Sequence, residues 1–133
     1  MGTTAYLETL FIDPILFYSS KNMFAKQYFV YILCNKYKTT LYNGHTNDIS
    51  SRLLEHQSKF HGSRAFTSKY NCTYLLFYEI FAERSTAFQR ERQIKRFCRE
   101  KKEALINAQN PEWTFRNQEV YELFPINPDR KNT

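Results

Sequence analysis

Two tyrosines, an arginine, a histidine and a glutamate follow one another along about sixty positions of this chain, as Tyr31, Tyr42, Arg52, His56 and Glu91. Phosphodiester hydrolysis needs a proton acceptor for water, a cation against the phosphate and a carboxylate for one metal ion. This set offers each of them. Arg52 and His56 are four residues apart, so on a helix they project from one face and could meet one phosphate. A guanidinium suits that task because its planar fork donates two hydrogen bonds and keeps its charge. The competing reading is a solvated pair beside Glu55. Tyr31 and Tyr42 are two of ten tyrosines, and aromatic residues in strands ordinarily serve packing. Gly44 either ends a strand or lets backbone or substrate approach closely.

Glu91 makes the best independent case. The inward stripe of its helix reads Ala87, Glu91, Ile94 and Cys98, and a carboxylate there costs free energy unless something pairs with it. Arg84, Arg90, Arg92, Lys95, Arg96, Arg99, Lys101 and Lys102 make the region cationic, so one reading is a structural ion pair. The other is a hard divalent ion held by one protein carboxylate and several waters, as Mg²⁺ commonly is beside phosphates.

These side chains need elements to hold them. Residues 27–34 are β-branched and aromatic, a strand signal, and 39–44 form a second, shorter strand. A turn centred between Lys36 and Tyr37 puts Tyr31 directly opposite Tyr42, although a slip of one residue breaks that register. Asn47 and Asp48 are N-cap residues for a helix over 49–59. Residues 62–71 form a polar, basic loop containing Lys69. Residues 73–81, apolar nearly throughout, read as the central strand. Ser85 caps a helix over 86–98, a shorter helix covers 100–109, and Asn110-Pro111 stops it. Residues 117–133 read as a loose C-terminal tail.

Composition bounds the whole. At 133 residues, 17% aromatic and 42% hydrophobic, the chain suits one compact domain and not wholesale disorder. The division expected is an extension over 1–24, a domain over 25–116 and the tail. Residues 1–22 read as an extension ahead of an alternative start at Met23, or as an added element packed on the domain. A formal net charge of +6 points to nucleic acid or an anionic membrane surface. No apolar run approaches the roughly 18 residues of a membrane helix, and no positive n-region marks a secretory signal. Cys34, Cys72 and Cys98 are odd in number and unpaired in spacing, which argues for a reducing, cytoplasmic setting. Each lies in or beside an apolar run and reads as buried. A zinc site from them with His45, His56 and His61 lacks paired-ligand spacing.

The order and spacing resemble the GIY-YIG nuclease family. Phe29-Val30-Tyr31 stands for its first triplet and Tyr42-Asn43-Gly44 for its second, with Arg52 ten residues beyond Tyr42 and His56 four further. Ser85-Thr86-Ala87 through Glu91, then Lys95-Arg96-Phe97, Lys101-Lys102-Glu103-Ala104-Leu105-Ile106 and Asn110-Pro111-Glu112-Trp113, look like the small stand-alone bacterial branch. The resemblance spans about residues 28–113. It implies an α+β fold, a small central three-stranded antiparallel sheet flanked by helices, and cleavage of DNA dependent on Mg²⁺ or Mn²⁺. Carried over by position, Tyr31 and Tyr42 line the cleft and one is the general base. Arg52 holds the scissile phosphate, His56 assists the base and Glu91 binds the metal. His45 lies where some relatives place a lysine. Phe29-Val30 replace glycine-isoleucine, and Asn43 replaces an apolar residue, which could alter packing under the site.

The general base stays open between tyrosine and histidine. Free tyrosine titrates near 10 and needs Arg52, the metal or His56 to lower it, whereas histidine titrates near 6.5. Nucleic-acid contacts are expected from Gly44, His45, Lys69, Arg92, Lys95, Arg96 and Lys102. With no recognition domain for duplex readout, single-stranded, branched or damaged DNA is the expected substrate, with Phe60, Phe66 and Tyr70 as stacking surfaces or packing residues. The alternative is a nucleic-acid-binding module or regulatory subunit without efficient chemistry, as a monomer or weak dimer.

Overall fold

The structure is a computed structural model and describes residues 26–59 and 71–126. Strand β1 (Tyr28–Cys34) is buried along its whole length. Its side chains alternate as a strand requires. Tyr28, Val30, Ile32 and Cys34 join one apolar cluster, and Phe29, Tyr31 and Leu33 join another. With β2 (Leu41–Thr46) and β3 (Tyr74–Phe81) it forms an antiparallel sheet of order β2-β1-β3. Helices α2 (Arg84–Lys95) and α3 (Arg99–Gln109) cover the first face through Ala87, Ile94 and Ile106. Helices α1 (Ile49–Lys59) and α4 (Asn117–Leu123) cover the second through Ile49, Leu53 and Val120. The expected class, α+β with a small three-stranded sheet between helices, is the one observed.

Four expectations are corrected. The central strand is β1, and β3 is an edge. An apolar segment can stand there because side-chain amides take the place of a fourth strand. Gln109 pairs with both the N–H and C=O of Tyr78. Asn110 donates to the Leu76 carbonyl, and Asn117 accepts from Leu75 N–H and donates to the Thr73 carbonyl. Second, residues 117–123 are not a loose tail. Val120 is fully buried, and Ser50 of α1 donates to the Val120 and Phe124 carbonyls at its C-terminal end.

Third, the β1–β2 register is two residues from the expected one: Tyr31 lies opposite Gly44, and Tyr42 opposite Leu33. The turn is longer than two residues because Asn35 organises it. Its Oδ1 accepts from the Thr39 and Thr40 amides, and its own N–H bonds the Thr40 carbonyl. Lys38 takes the left-handed conformation the turn needs, at φ 62°. A shift of two preserves the face, so both tyrosines stay on the same side. Fourth, α2 starts at Arg84 with Glu83, not Ser85, at its N-cap, and it ends at Lys95. Cys98 therefore leaves the inward stripe and is exposed, whereas Cys34 and Cys72 are buried. The N-terminal extension lies outside the described residues.

Candidate active site

Asp48 starts α1 by accepting the Ser51 N–H at 3.2 Å, a cap that fixes the helix on β2. Leu53 and Ile49 bury one side of it, and this aims Arg52 and His56 at the sheet. His56 Nε2 lies 3.2 Å from the hydroxyl of Tyr31, which is only 1% exposed. Arg52 hydrogen-bonds the same hydroxyl. A guanidinium can only donate, so the phenol oxygen accepts from it, which leaves the O–H free to donate to His56 Nε2 when that nitrogen carries no proton. The Tyr42 ring stands edge-on to His56 at 5.7 Å. Burial pushes the Tyr31 phenol well above the usual tyrosine value. Arg52 opposes that, and the charges of Tyr42 and Glu91 reinforce it. Tyr31 is thus a neutral phenol at neutral pH.

Gly44 sits directly across from Tyr31. A Cβ there would stand 2.7 Å from the Tyr31 hydroxyl oxygen and 2.9 Å from Cζ. The absent side chain is what lets the phenol lie over β2 and reach His56.

The alternation of β2 sends Asn43 and His45 to the opposite face, toward α2. There His45 Nδ1 meets Glu91 Oε1 at 2.7 Å, and Lys95 Nζ meets Oε2 at 3.1 Å. Asn43 donates its amide to the Glu91 carbonyl at 3.2 Å, so the polar residue between Tyr42 and Gly44 ties β2 to the helix turn carrying the carboxylate. Glu91 is buried beside Ala87 and Ile94, on the stripe expected of it. The five chemistry-bearing residues therefore do not share one face. Four stand on one side of the edge strand β2 and Glu91 on the other, close enough for its charge to act on Tyr31.

Among the described residues no group of three His, Cys, Asp or Glu could enclose a metal ion. The donor set still fits a hard divalent ion that keeps most of its waters. Glu91 is a buried carboxylate whose present cation, Lys95, is a flexible side chain 53% accessible to solvent and so can give way to a metal ion. His45 can hold Oε1 while the carboxylate keeps further lone pairs.

The remaining expected contacts spread along α2 and α3. Arg92 and Arg96 are exposed, with the Arg92 guanidinium 5.6 Å above the Phe88 ring. Burial, then the charges of Lys95 and Arg99, push the Lys102 ammonium down from the usual lysine value. Lys69, Phe60, Phe66 and Tyr70 lie outside the described residues. Sequence reasoning missed Phe88 and Phe97, whose rings stand beside Arg92 and Lys101. The available signal was an aromatic four positions before Arg92 on an otherwise polar helix face.

No helix of the described residues is long and apolar enough to cross a membrane. A family model described as the GIY-YIG catalytic domain matches residues 27–104, more than half of the chain. A UPF0213 protein of Pectobacterium carotovorum is 36% identical over 83 residues, covering 62% of this chain and 81% of its own. A UPF0213 protein of Haloquadratum walsbyi is 37% identical over 79 residues, 59% and 84% respectively. One of Syntrophus aciditrophicus is 40% identical over 85 residues, 63% and 93%. The solution NMR structure of the UPF0213 protein BH0048 from Bacillus halodurans aligns with a TM-score of 0.44 at 24% identity, over 71% of this chain and 95% of that one.

Proposed function

The chain belongs to the GIY-YIG nuclease family, and on that premise we propose that it is an endonuclease hydrolysing phosphodiester bonds in DNA with one divalent cation, Mg²⁺ or Mn²⁺. The observation that carries the reading is the buried Tyr31 hydroxyl, held between the Arg52 guanidinium and His56 Nε2. A phenol so placed can accept a proton from an attacking water while passing its own to the imidazole. His56 is then the final acceptor and Tyr31 the relay, so no free tyrosinate is needed. Arg52 supplies positive charge where charge builds on the phosphoryl oxygens. Tyr42 packs against His56 and limits the ring's orientation. Glu91 is the residue that would hold the cation, with His45 and Asn43 fixing its carboxylate and its backbone. When bound, that ion would supply Lewis-acid stabilisation of the phosphate charge.

The test uses purified full-length protein on labelled single-stranded, duplex and forked DNA, with Mg²⁺, Mn²⁺ or chelator. Cleavage is expected only with metal, lost in Glu91→Gln and lowered about 100-fold or more in Arg52→Ala. Undiminished cutting in chelator or in Glu91→Gln sinks the metal assignment. A folded wild-type protein that binds these DNAs and cuts none moves the reading to a binding module.

A further inference from the structure

Beside Glu91, on the outer face of α2, lies an open groove that none of the proposed chemistry uses. It has a volume of about 600 Å³ and is lined chiefly by Phe88, Arg92, Arg96, Phe97 and Lys101. Some cations of this region have a carboxylate partner, and others, Arg84 and Lys102 included, have none among the described residues. Arg90 is paired with Glu79, Lys95 with Glu91, and Arg99 with Glu103. Among the described residues no carboxylate pairs with Arg92, Arg96 or Lys101, the three that line the groove. Two of these lie against aromatic rings instead, Arg92 at 5.6 Å from Phe88 and Lys101 at 5.3 Å from Phe97.

Uncompensated like charges gathered in a groove favour a polyanion. An exposed ring set among them favours something flat and apolar to cover it, and Phe88 is 44% exposed. A single nucleic-acid strand meets both demands, since its phosphates are anionic and its unpaired bases offer π faces. A duplex meets only the first, because its bases are stacked on one another. The groove touches the candidate site at one residue. The Phe88 ring stands edge-on to His45 at 5.7 Å, and His45 holds Glu91.

We propose that this groove is a track for single-stranded DNA, with one base stacked on Phe88 and phosphates on Arg92, Arg96 and Lys101. That the track leads away from the scissile phosphate rests on the nuclease reading; binding in the groove does not.

The experiment measures binding of fluorescein-labelled oligothymidylate to the full chain by anisotropy, in chelator so that nothing is cut, over a series of salt concentrations. Phe88→Ala is expected to weaken binding about tenfold, and Phe88→Tyr to restore it. Arg92→Gln and Arg96→Gln should each reduce the salt slope by about 0.7. A hairpin duplex of equal charge should bind more weakly and ignore Phe88→Ala. The exposed position of Phe88 leaves the core intact, and thermal melts check this. Wild-type affinity for oligothymidylate in Phe88→Ala overturns the proposal. So does an equal loss for the duplex, or Phe88-dependent binding to phosphatidylserine vesicles without binding to oligothymidylate. Phe88-dependent binding by a protein that cuts nothing with Mg²⁺ keeps the groove and removes the nuclease reading. Normal cutting with Phe88→Ala indistinguishable from wild type in binding does the reverse.

Discussion

Tyr31 joins the two chemical ideas that its sequence position left open, because burial decides which of its protonation states exists near neutrality. A phenol pushed above its ordinary range cannot be the resting base, so the rate should not follow the titration of a tyrosine. The expected single-turnover rate is therefore level between about pH 8 and pH 10. A pH–rate profile that keeps climbing toward roughly 10 would mean that tyrosinate is the active form. Gly44 gives the companion prediction. Gly44→Ala puts a methyl group 2.7 Å from the Tyr31 hydroxyl oxygen, and the ring, buried and bonded to His56, has no easy retreat. Overpacking of this kind costs about 1–3 kcal/mol of stability, and a displacement on the order of 1 Å lowers turnover about 100-fold. Both are read on one sample, by thermal melting and cleavage. Both roles stand among the alternatives the residues offer, but the sequence does not choose between them. Tyrosine acidity depends on surroundings drawn from three elements, and Gly44 acquires its meaning only once the register places it under Tyr31.

At the scale of elements, local signals were read well and pairing was not. Asp48 as a cap and Ala87, Glu91 and Ile94 as one stripe follow from nearest neighbours along the helix, which a sequence displays directly. The turn after Cys34 depends on Asn35 reaching forward to two amides, a side-chain contact with no periodicity to betray it. The same blindness hid α4, whose place on the sheet is decided by Asn117 bridging Leu75 N–H and the Thr73 carbonyl. Asn117→Ala should leave two backbone groups of the β3 edge without that partner and cost about 1–3 kcal/mol. Chemical denaturation measures it. An unchanged midpoint would show that water replaces the amide without loss. The change is expected to leave cleavage by the folded protein unaltered, since α4 is bonded to α1 at Ser50 and not at Arg52 or His56.

The whole molecule carries its acidity problem in the sheet interior, where β1 and β3 pair Tyr31 with Tyr78. Burial raises both phenols. Glu119, which accepts the Tyr78 hydroxyl proton at 2.8 Å, raises Tyr78 further against the opposing charge of Arg116. Burial also lifts the Cys34 thiol to about 12 and Cys72 to about 11. The sign of the consequence is fixed by linkage. These groups hold their protons longer in the folded chain than in the unfolded one, so the stability they contribute is full below their unfolded values. It is lost as pH rises through their folded values. Unfolded tyrosine releases its proton near 10 and cysteine near 8.5, so the melting temperature should decline from about pH 9 upward and steepen above about pH 10. Tyr31→Phe and Tyr78→Phe should each flatten the steep limb, because phenylalanine has no proton to lose. Melts of the three proteins across this range, in chelator, decide the matter. An alkaline limb of unchanged steepness in both variants would locate the loss in general charge repulsion outside the tyrosine pair. In a chain of net charge +6 at neutral pH and sequence pI near 9.3, that repulsion falls as pH approaches 9.3 and grows only beyond it, as the net charge turns negative.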